Sequence, residues 1–272
     1  MKNVVITGST RGIGYGLAVE FLKKGCKVMI SGRDEVRVQQ VVEQLANNFG
    51  RENVAGQACE VSSAPALSAL WQEAVAVFGR VDIWINNAGI SIKRLPLAQQ
   101  RAADLQRIVD TNLTGVLLAN SIVLSGMQAQ GGGQIWNMEG FGSNDATQPG
   151  MAAYGATKRA LTYLTKALQK EVKGSAVQVN TLSPGIVVTD LLLSDYDLAS
   201  EQWQKARKIF NILGDKVETV TPWLVQNILA TNRSGAKVAW LTGGKAFGRF
   251  LTAGFNKRDL FADIATKAPM QS

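Results

Sequence analysis

Thr7-Gly8-Ser9-Thr10-Arg11-Gly12-Ile13-Gly14 follows the apolar run Val4-Val5-Ile6 and opens an amphipathic stretch. Glycines in such a turn let backbone N–H groups approach a phosphate, and a helix that starts there directs its partial positive charge at the same anion. A Gly-rich string also occurs in ordinary strand-to-helix turns, so its meaning depends on its context. The context that a phosphate site requires, a strand before it and a helix after it, is present.

Short β-branched segments alternate with longer amphipathic ones along the rest of the chain. This alternation predicts repeated βαβ units and a Rossmann-type α/β fold, with a doubly wound seven-stranded parallel sheet and helices on both faces. Ligands of such sheets bind beyond the carboxyl ends of the strands. The predicted strands are Asn3–Ile6, Lys27–Ile30, Val54–Ala58, Ile83–Asn86, Gly133–Asn137, Ala176–Leu182 and Lys237–Leu241. The predicted helices are Gly12–Lys24, Glu35–Phe49, Ala64–Phe78, Leu105–Gln128, Met151–Lys173 and Glu218–Ala230.

The composition suits one large domain, because 46% of the 272 residues are hydrophobic and 18% are charged. We expect residues 1–244 to form this domain and residues 245–272 to form a C-terminal extension. The apolar runs are too short, or too interrupted by charge, for a membrane span. Two isolated cysteines, Cys26 and Cys59, predict buried thiols in a reducing compartment, and hence a cytoplasmic protein.

Several classes of function are excluded by composition. The chain has no histidine, which excludes histidine-based triads and most zinc sites, and no metal site is predicted. The net charge is +8, but no nucleic-acid-binding motif accompanies it, so we expect no nucleic-acid partner. A cofactor that carries several phosphates is the simpler anionic partner.

The end of the second predicted strand indicates which nucleotide cofactor is bound. A carboxylate there would bind the ribose 2′-hydroxyl of NAD, whereas an arginine accommodates the 2′-phosphate of NADP. The chain reads Ile30-Ser31-Gly32-Arg33, without an acid at the tip of the strand, and Arg11 lies in the glycine loop. Because two guanidinium groups suit a phosphate dianion, the sequence predicts NADPH.

Tyr154 and Lys158 are the candidate catalytic pair. They lie four residues apart on a predicted helix, so their side chains share one face. A phenol with an ordinary pKa near ~10 is a poor acid–base catalyst at neutral pH. We expect the Lys158 ammonium to stabilise the phenolate and to bring the pKa of Tyr154 toward neutrality.

Further motifs follow the glycine loop in a fixed order: Asn87-Ala88-Gly89, Asn112, Tyr154-Gly155-Ala156-Thr157-Lys158 and Ser183-Pro184-Gly185. Together they resemble the short-chain dehydrogenase/reductase family over residues 3 to about 244. The resemblance implies that Tyr154 protonates the substrate oxygen, that Lys158 holds the nicotinamide ribose, and that Asn112 anchors a water linking the lysine to solvent. It also implies a substrate lid at residues 191–214 and a homodimer or homotetramer. The implied cofactor-binding residues are Gly8, Ser9, Thr10, Arg11, Gly12, Ile13, Gly14, Arg33, Glu60, Val61, Asn87, Ala88, Gly89, Tyr154, Lys158, Pro184, Gly185, Ile186 and Thr189.

One member of the family's catalytic set is missing. Relatives carry a serine just past the fifth strand, where this chain has Glu139-Gly140, and we predict that Ser143 supplies the hydroxyl instead. The stretch Asn137–Ser143, followed by Tyr154 and Lys158, resembles the chlorophyll(ide) b reductase branch of the family, which shares the acid–glycine pair. This resemblance implies NADPH-dependent reduction of the C7 formyl group of chlorophyll(ide) b to hydroxymethyl. A reductase of another bulky aldehyde or ketone and an NADP(H)-binding sensor or scaffold remain alternatives.

The C-terminal extension combines aromatic and basic residues. Such a segment fits a lipid interface, a pocket for a large flat ligand, or a packed extension at a subunit contact, so peripheral membrane contact is one expectation. Gly248 and Gly254 argue against one continuous helix. The residues concerned are Phe247, Phe250, Leu251, Phe255, Leu260 and Phe261, among Lys245, Arg249, Lys257 and Arg258.

Overall fold

The computed structural model describes residues 1–262, so residues 263–272 of the predicted extension lie outside the described part. Within it, all seven predicted strands form one parallel sheet. They are β1 (Asn3–Ile6), β2 (Lys27–Gly32), β3 (Val54–Ala58), β4 (Ile83–Asn86), β5 (Gly133–Met138), β6 (Val177–Ser183) and β9 (Lys237–Ala239). Two short strands between β6 and β9, β7 (Val187–Val188) and β8 (Asp215–Lys216), form a separate parallel pair. The order β3-β2-β1-β4-β5-β6-β9 confirms the predicted doubly wound fold and reverses direction between β1 and β4, where such sheets bind their ligands.

The helices cover both faces of this sheet. Their bounds are α1 (Gly12–Lys23), α2 (Glu35–Phe49), α3 (Ala64–Phe78), α4 (Ala102–Val109), α5 (Gly115–Ala129), α6 (Ala152–Glu171), α7 (Asp190–Leu193), α8 (Glu201–Leu213), α9 (Val217–Ala230) and α10 (Gly243–Thr252). The single helix predicted over Leu105–Gln128 was wrong in detail. It begins at Ala102 and contains a π-helical turn, Asp110–Thr114, between α4 and α5.

Alternation of side chains along β1 explains the two-sided core. Val4 and Ile6 point to the face covered by α1, α2 and α9, whereas Val5 points to the face covered by α3, α5 and α6. All three side chains are completely buried. A strand buried on both faces has to be apolar throughout, which is why this run of sequence identifies the centre of the sheet.

The helical stretch Ala102–Ala129 contradicts the expectation that no apolar run is long enough for a membrane span. An 18-residue window of this 28-residue stretch has a mean hydropathy of 1.4, so the stretch meets the length and composition of a spanning helix. Val123 and Met127 of this stretch are fully buried against the α3 side of the core. A core helix of a globular domain passes the same test of length and composition, and α5 packs against α3.

The region after β6 and the C-terminal extension pack on each other. Trp203 and Phe210 of α8 form a cluster with Phe261, whose ring centroid lies 5.1 Å from that of Trp203. The helix α10 continues through Gly248, contrary to expectation, and ends at Thr252 before Gly254. The extension therefore folds back onto the predicted lid over the part that the structure describes.

Candidate active site

The glycine loop lies at the carboxyl end of β1 and is fixed by the chain that follows β4. The Asn87 side chain donates hydrogen bonds to the carbonyl oxygens of Thr7 and Gly8, each at 2.9 Å. A Cβ at Gly14 would collide with the Gly8 carbonyl and with the Asn87 amide nitrogen. Gly8 itself has a φ of 64°, a left-handed conformation that favours glycine. The loop is thus closely packed, and its shape depends on these two glycines.

A cavity of about 720 Å³ opens above this loop. Thirteen of the residues that the sequence assigns to cofactor binding line it: Gly8, Thr10, Arg11, Gly12, Ile13, Gly14, Arg33, Glu60, Val61, Asn87, Ala88, Gly89 and Thr189. Ser9 lies beneath the loop, where its hydroxyl donates to the Ile6 carbonyl and accepts from the Ser31 amide. Pro184, Gly185, Ile186, Tyr154 and Lys158 do not line this cavity.

Three arginines line the same cavity, one more than the sequence suggested. Arg11 comes from the glycine loop, Arg33 from the end of β2 and Arg37 from the first turn of α2. Two acids lie between the last two arginines: Asp34 caps α2 by accepting a hydrogen bond from the Arg37 amide at 3.1 Å, and Glu35 accepts one from the Gln39 side chain at 2.8 Å. The spacing of Arg33 and Arg37, one helical turn apart at a helix start, was the available signal for the third arginine.

Asn112 lies in the π-helical turn and is fully buried. Its side chain accepts a hydrogen bond from the Ile90 amide at 2.8 Å and donates to the Ile90 carbonyl at 2.9 Å. It also donates to the Thr157 hydroxyl of α6 at 3.4 Å. Asn112 therefore joins the segment after β4 to the helix that carries Tyr154 and Lys158. A π turn within an α-helix commonly marks a functional position, and here it marks this one.

Tyr154 and Lys158 are one turn apart on α6, and both face the end of β5. The Lys158 ammonium lies 5.8 Å from the centroid of the Tyr154 ring and donates to the Met138 carbonyl at 3.3 Å. A Cβ at Gly89, which lines the cofactor cavity, would lie 3.8 Å from the same ammonium and 3.4 Å from the Asn112 carbonyl oxygen. The structure thus brings Asn112, Tyr154 and Lys158 together beside one end of that cavity.

The predicted direction of the Tyr154 pKa shift was wrong for this structure. Burial raises the pKa of Tyr154 to about 12; the charge of Asp195 also raises it, and that of Arg94 lowers it. Burial lowers the pKa of Lys158 to about 8, against the opposing effect of the Glu139 carboxylate. Desolvation is the largest cause of both pKa shifts, and it outweighs the attraction expected between ammonium and phenolate.

Gly140 occupies the position next to the phenol. A Cβ there would lie 2.7 Å from the Tyr154 hydroxyl oxygen and 3.2 Å from Lys158 Cε. Ser143 is buried in the same loop, where its hydroxyl accepts from the Gly140 amide and donates to the Lys158 carbonyl, both at 3.2 Å. These contacts fix the loop to α6, and the proposed polarising role of Ser143 stays a prediction.

The acid of the acid–glycine pair was seen in the sequence but given no role. Glu139 is buried and forms an ion pair with Lys237 of β9 at 2.7 Å. Its carboxylate is near enough to Lys158 to raise the pKa of the ammonium. The acid–glycine pair therefore contributes a charge, from Glu139, where the family usually contributes a hydroxyl.

A second polar cluster, which sequence reasoning missed, covers the substrate side of Tyr154. Asp195, just after α7, accepts a hydrogen bond from the Ser91 hydroxyl at 2.6 Å and lies 3.7 Å from the Arg94 guanidinium. Arg94 stacks 4.3 Å from the centroid of the Tyr196 ring. Burial raises the pKa of Asp195. The predicted lid thus contacts the segment after β4 through a buried charged cluster, a contact between residues about a hundred positions apart.

Comparison with known proteins agrees with this geometry. The family model of the short chain dehydrogenases matches residues 2–197. Chlorophyll(ide) b reductase NOL, a chloroplastic protein of Arabidopsis thaliana, is 41% identical over 254 residues, which cover 90% of this chain and 71% of that protein. The solved structure of ElxO with NADP bound has a TM-score of 0.76 at 27% identity, covering 90% of this chain and 98% of that one. The 3-ketoacyl-(acyl-carrier-protein) reductase of Brucella melitensis, complexed with NADH, gives the same TM-score, identity and coverage.

Proposed function

The chain belongs to the short-chain dehydrogenase family of oxidoreductases, and from this premise we propose that it is an NADPH-dependent reductase of the C7 formyl group of chlorophyll(ide) b. A nicotinamide cofactor follows from the family and from the nucleotide-bound relatives. The proposal is more specific in two respects: the cofactor is NADPH, and the group reduced is the formyl group of chlorophyll(ide) b.

The choice of NADPH rests on the three arginines at one end of the cavity. Arg11, Arg33 and Arg37 provide a positive field at the carboxyl end of β2, where the ribose 2′-substituent of a bound dinucleotide lies in this fold. Asp34 also lines the cavity, but its carboxylate accepts a hydrogen bond from the Arg37 amide. A 2′-phosphate would therefore meet cations rather than a carboxylate.

The choice of substrate rests on the acid–glycine pair beside the phenol. At the position beside the Tyr154 hydroxyl where the family usually has serine, this chain has Gly140, which carries no side chain. The chloroplastic chlorophyll(ide) b reductases, which the sequence resembles most strongly around this pair, are about 40% identical over some nine-tenths of the chain. The acid–glycine pair and this similarity together support an aldehyde group on a bulky pigment, rather than a small ketone, as the substrate.

The reaction follows from the side chains at the end of the cavity. Tyr154, with a pKa of about 12, is a neutral phenol at working pH and donates its proton to the substrate oxygen. Lys158, positively charged below a pKa of about 8, stabilises the phenolate that remains. The residues that line the cavity would hold NADPH, which would supply the hydride. Addition of a hydride and a proton converts the formyl group to hydroxymethyl, and the phenolate regains a proton from solvent.

The test is NADPH-dependent conversion of purified chlorophyll b and of chlorophyllide b, followed by absorbance and chromatography. We expect the 7-hydroxymethyl product with NADPH, and a loss of about 10²–10⁴-fold in rate with Tyr154→Phe, since general acid catalysis contributes this much. NADPH affinity of the variant should be unchanged. Binding of NADPH without turnover of either pigment would contradict the pigment proposal. Turnover of other bulky carbonyls would then select the first alternative, and no turnover of any carbonyl would select a sensor or scaffold.

Quaternary structure and location belong to the same proposal. We expect a homodimer or homotetramer, as the family resemblance implies, and a protein that acts from the aqueous side of a membrane. The relatives are named as chloroplastic, and the cytoplasmic location expected from the two thiols stays a prediction. Cys26 and Cys59 are free and buried, as expected.

A further inference from the structure

The helix α10 presents an apolar face to solvent, a feature that the proposed reaction does not use. Phe247 and Leu251 are about two-thirds exposed, at 66% and 65%, and Phe250 is 48% exposed. Phe255, just beyond the helix, is 95% exposed. The spacing of the first three, Phe247, Phe250 and Leu251, at i, i+3 and i+4, places them on one side of the helix axis, and Phe255 follows in the turn after the helix. Few globular proteins expose three phenylalanines in one continuous patch without a partner.

The opposite side of α10 is attached to the domain. Arg249, two residues from Phe247 and so just over half a turn around the helix, pairs with the buried carboxylate of Asp215 at 2.8 Å and donates to the Leu213 carbonyl. Arg258 reaches the same carboxylate at 2.7 Å. Phe261 then completes the aromatic cluster under α8. The orientation of α10 is therefore fixed, and its apolar side is directed away from the domain.

The charge around this face has one sign. Residues 243–258 contain four basic side chains, Lys245, Arg249, Lys257 and Arg258, and no acidic one. Asp215 pairs with both arginines on the attached side, so the basic side chains that remain to interact with an external surface are Lys245 and Lys257. Lys257 is exposed beside Phe255 in sequence, and Lys245 lies 3.0 Å from the centroid of the Trp240 ring.

We propose that this face, formed by Phe247, Phe250, Leu251 and Phe255, docks on an anionic lipid bilayer. An amphipathic helix with aromatic residues on one side and basic residues around them lies in the plane of a lipid interface. The aromatic side chains enter the boundary of the acyl chains, and the basic side chains attract anionic headgroups. Because α10 is attached to α8, docking brings the lid and the substrate side of Tyr154 to the membrane surface.

A second copy of the chain is a poorer occupant of the same face. A two-fold contact places each patch against itself, so two positively charged segments without acidic residues would meet. Four side chains also form a small fraction of the 20–30 residues that each partner contributes to a stable interface. An anionic lipid surface complements the positive charge of this segment, whereas the same segment of a second copy repels it.

The experiment is vesicle flotation of the full-length protein with phosphatidylcholine vesicles, with and without phosphatidylglycerol, at low and high salt. We expect binding to the anionic vesicles that weakens at high salt, because the Debye length shortens. The variant Phe247→Ser/Phe250→Ser/Phe255→Ser should lose at least about tenfold in vesicle affinity, since it removes the apolar contribution. Lys245→Gln/Lys257→Gln should weaken binding to anionic vesicles alone, by about fivefold per charge.

Val36→Ser/Val77→Ser is the matched control, because both valines are exposed on helices far from α10 in sequence. It should bind vesicles as the unaltered protein does, and NADPH binding by every variant verifies the fold. Absence of vesicle binding, or equal binding by the triple phenylalanine variant, would overturn the proposal. Unchanged vesicle binding together with a smaller oligomer in sedimentation would assign the face to a second copy. None of these outcomes depends on turnover of chlorophyll, so lipid docking and the proposed reaction can fail separately.

Discussion

The cofactor side and the substrate side of the site are built in different ways. The cofactor side, from the glycine loop to Arg33 and Arg37, consists of consecutive residues at the ends of β1, β2 and β4. The substrate side is assembled from three segments that are distant in sequence. Gly140 and Ser143 follow β5, Arg94 follows β4, and Asp195 belongs to the predicted lid. The first depends on backbone conformation and local charge. The second depends on contacts between residues far apart in sequence, and it is where this chain departs from its family.

Among the changes that test this contrast, the largest effect should come from filling the space beside the phenol. Gly140→Ala puts a Cβ 2.7 Å from the Tyr154 hydroxyl oxygen, so the phenol has to move. We expect kcat to fall by about 10²-fold, because a displacement near 1 Å at a reacting group costs that much. NADPH affinity should remain unchanged, because only the substrate side is altered.

Gly155→Ala is the matched control for this change. Gly155 is adjacent to Tyr154 on α6, but a Cβ there meets its nearest neighbour at an ordinary 3.9 Å. Its kcat should be close to that of the unaltered protein. Equal activity of both variants would show that the phenol does not require the space at Gly140, and the contrast between the two sides of the site would then be weaker.

The next effect concerns the cofactor side alone. Arg33→Ala removes one charge-assisted contact to the 2′-phosphate, worth about 1.5–3 kcal/mol, so NADPH affinity should fall by about 10- to 100-fold while NADH affinity is nearly unchanged. Fluorescence titration of both dinucleotides measures this. Arg51→Ala, beyond the C-terminal end of α2 and paired with Glu43, is the control. Equal losses for NADPH and NADH would refute the choice of cofactor.

The contrast between the two sides also explains what the sequence could predict. The seven strands and the glycine loop follow from buried apolar runs and from turn chemistry within a few residues, and both were found. The π turn at Asn112 was not found, because it depends on contacts with Ile90 and Thr157 rather than on local propensity. Asp195 and Ser91 are about a hundred residues apart in sequence, and no short sequence motif predicts their contact. The direction of the Tyr154 pKa shift depends on burial, which residue spacing does not reveal.

Glu139 acts on the charge of Lys158, and its effect should appear as a pH dependence. The active form of Lys158 is protonated; it is present below a pKa of about 8 and lost as the pH rises through it. The Glu139 carboxylate raises that pKa, so Glu139→Gln should lower it and move the alkaline limb of the kcat profile to lower pH. At pH near 8 the loss should be about threefold, and at pH near 6 almost none. Glu139→Asp, which keeps the charge, should restore the profile, whereas an equal loss at every pH would indicate a role in packing.

Ser143→Ala should have the smallest effect on kcat, and it decides between two roles for the hydroxyl. In the structure this hydroxyl joins the Gly140 amide to the Lys158 carbonyl, so its removal should lower the free energy of unfolding by about 1–2 kcal/mol. If the loop keeps its place, kcat should fall by about threefold or less, far below the 10²–10³-fold cost of losing an oxyanion donor. Thermal unfolding and steady-state kinetics of one variant measure both. A drop in kcat of about tenfold or more at unchanged stability would instead place the hydroxyl on the substrate carbonyl. Ser143 would then restore on the substrate side the group that Gly140 lacks.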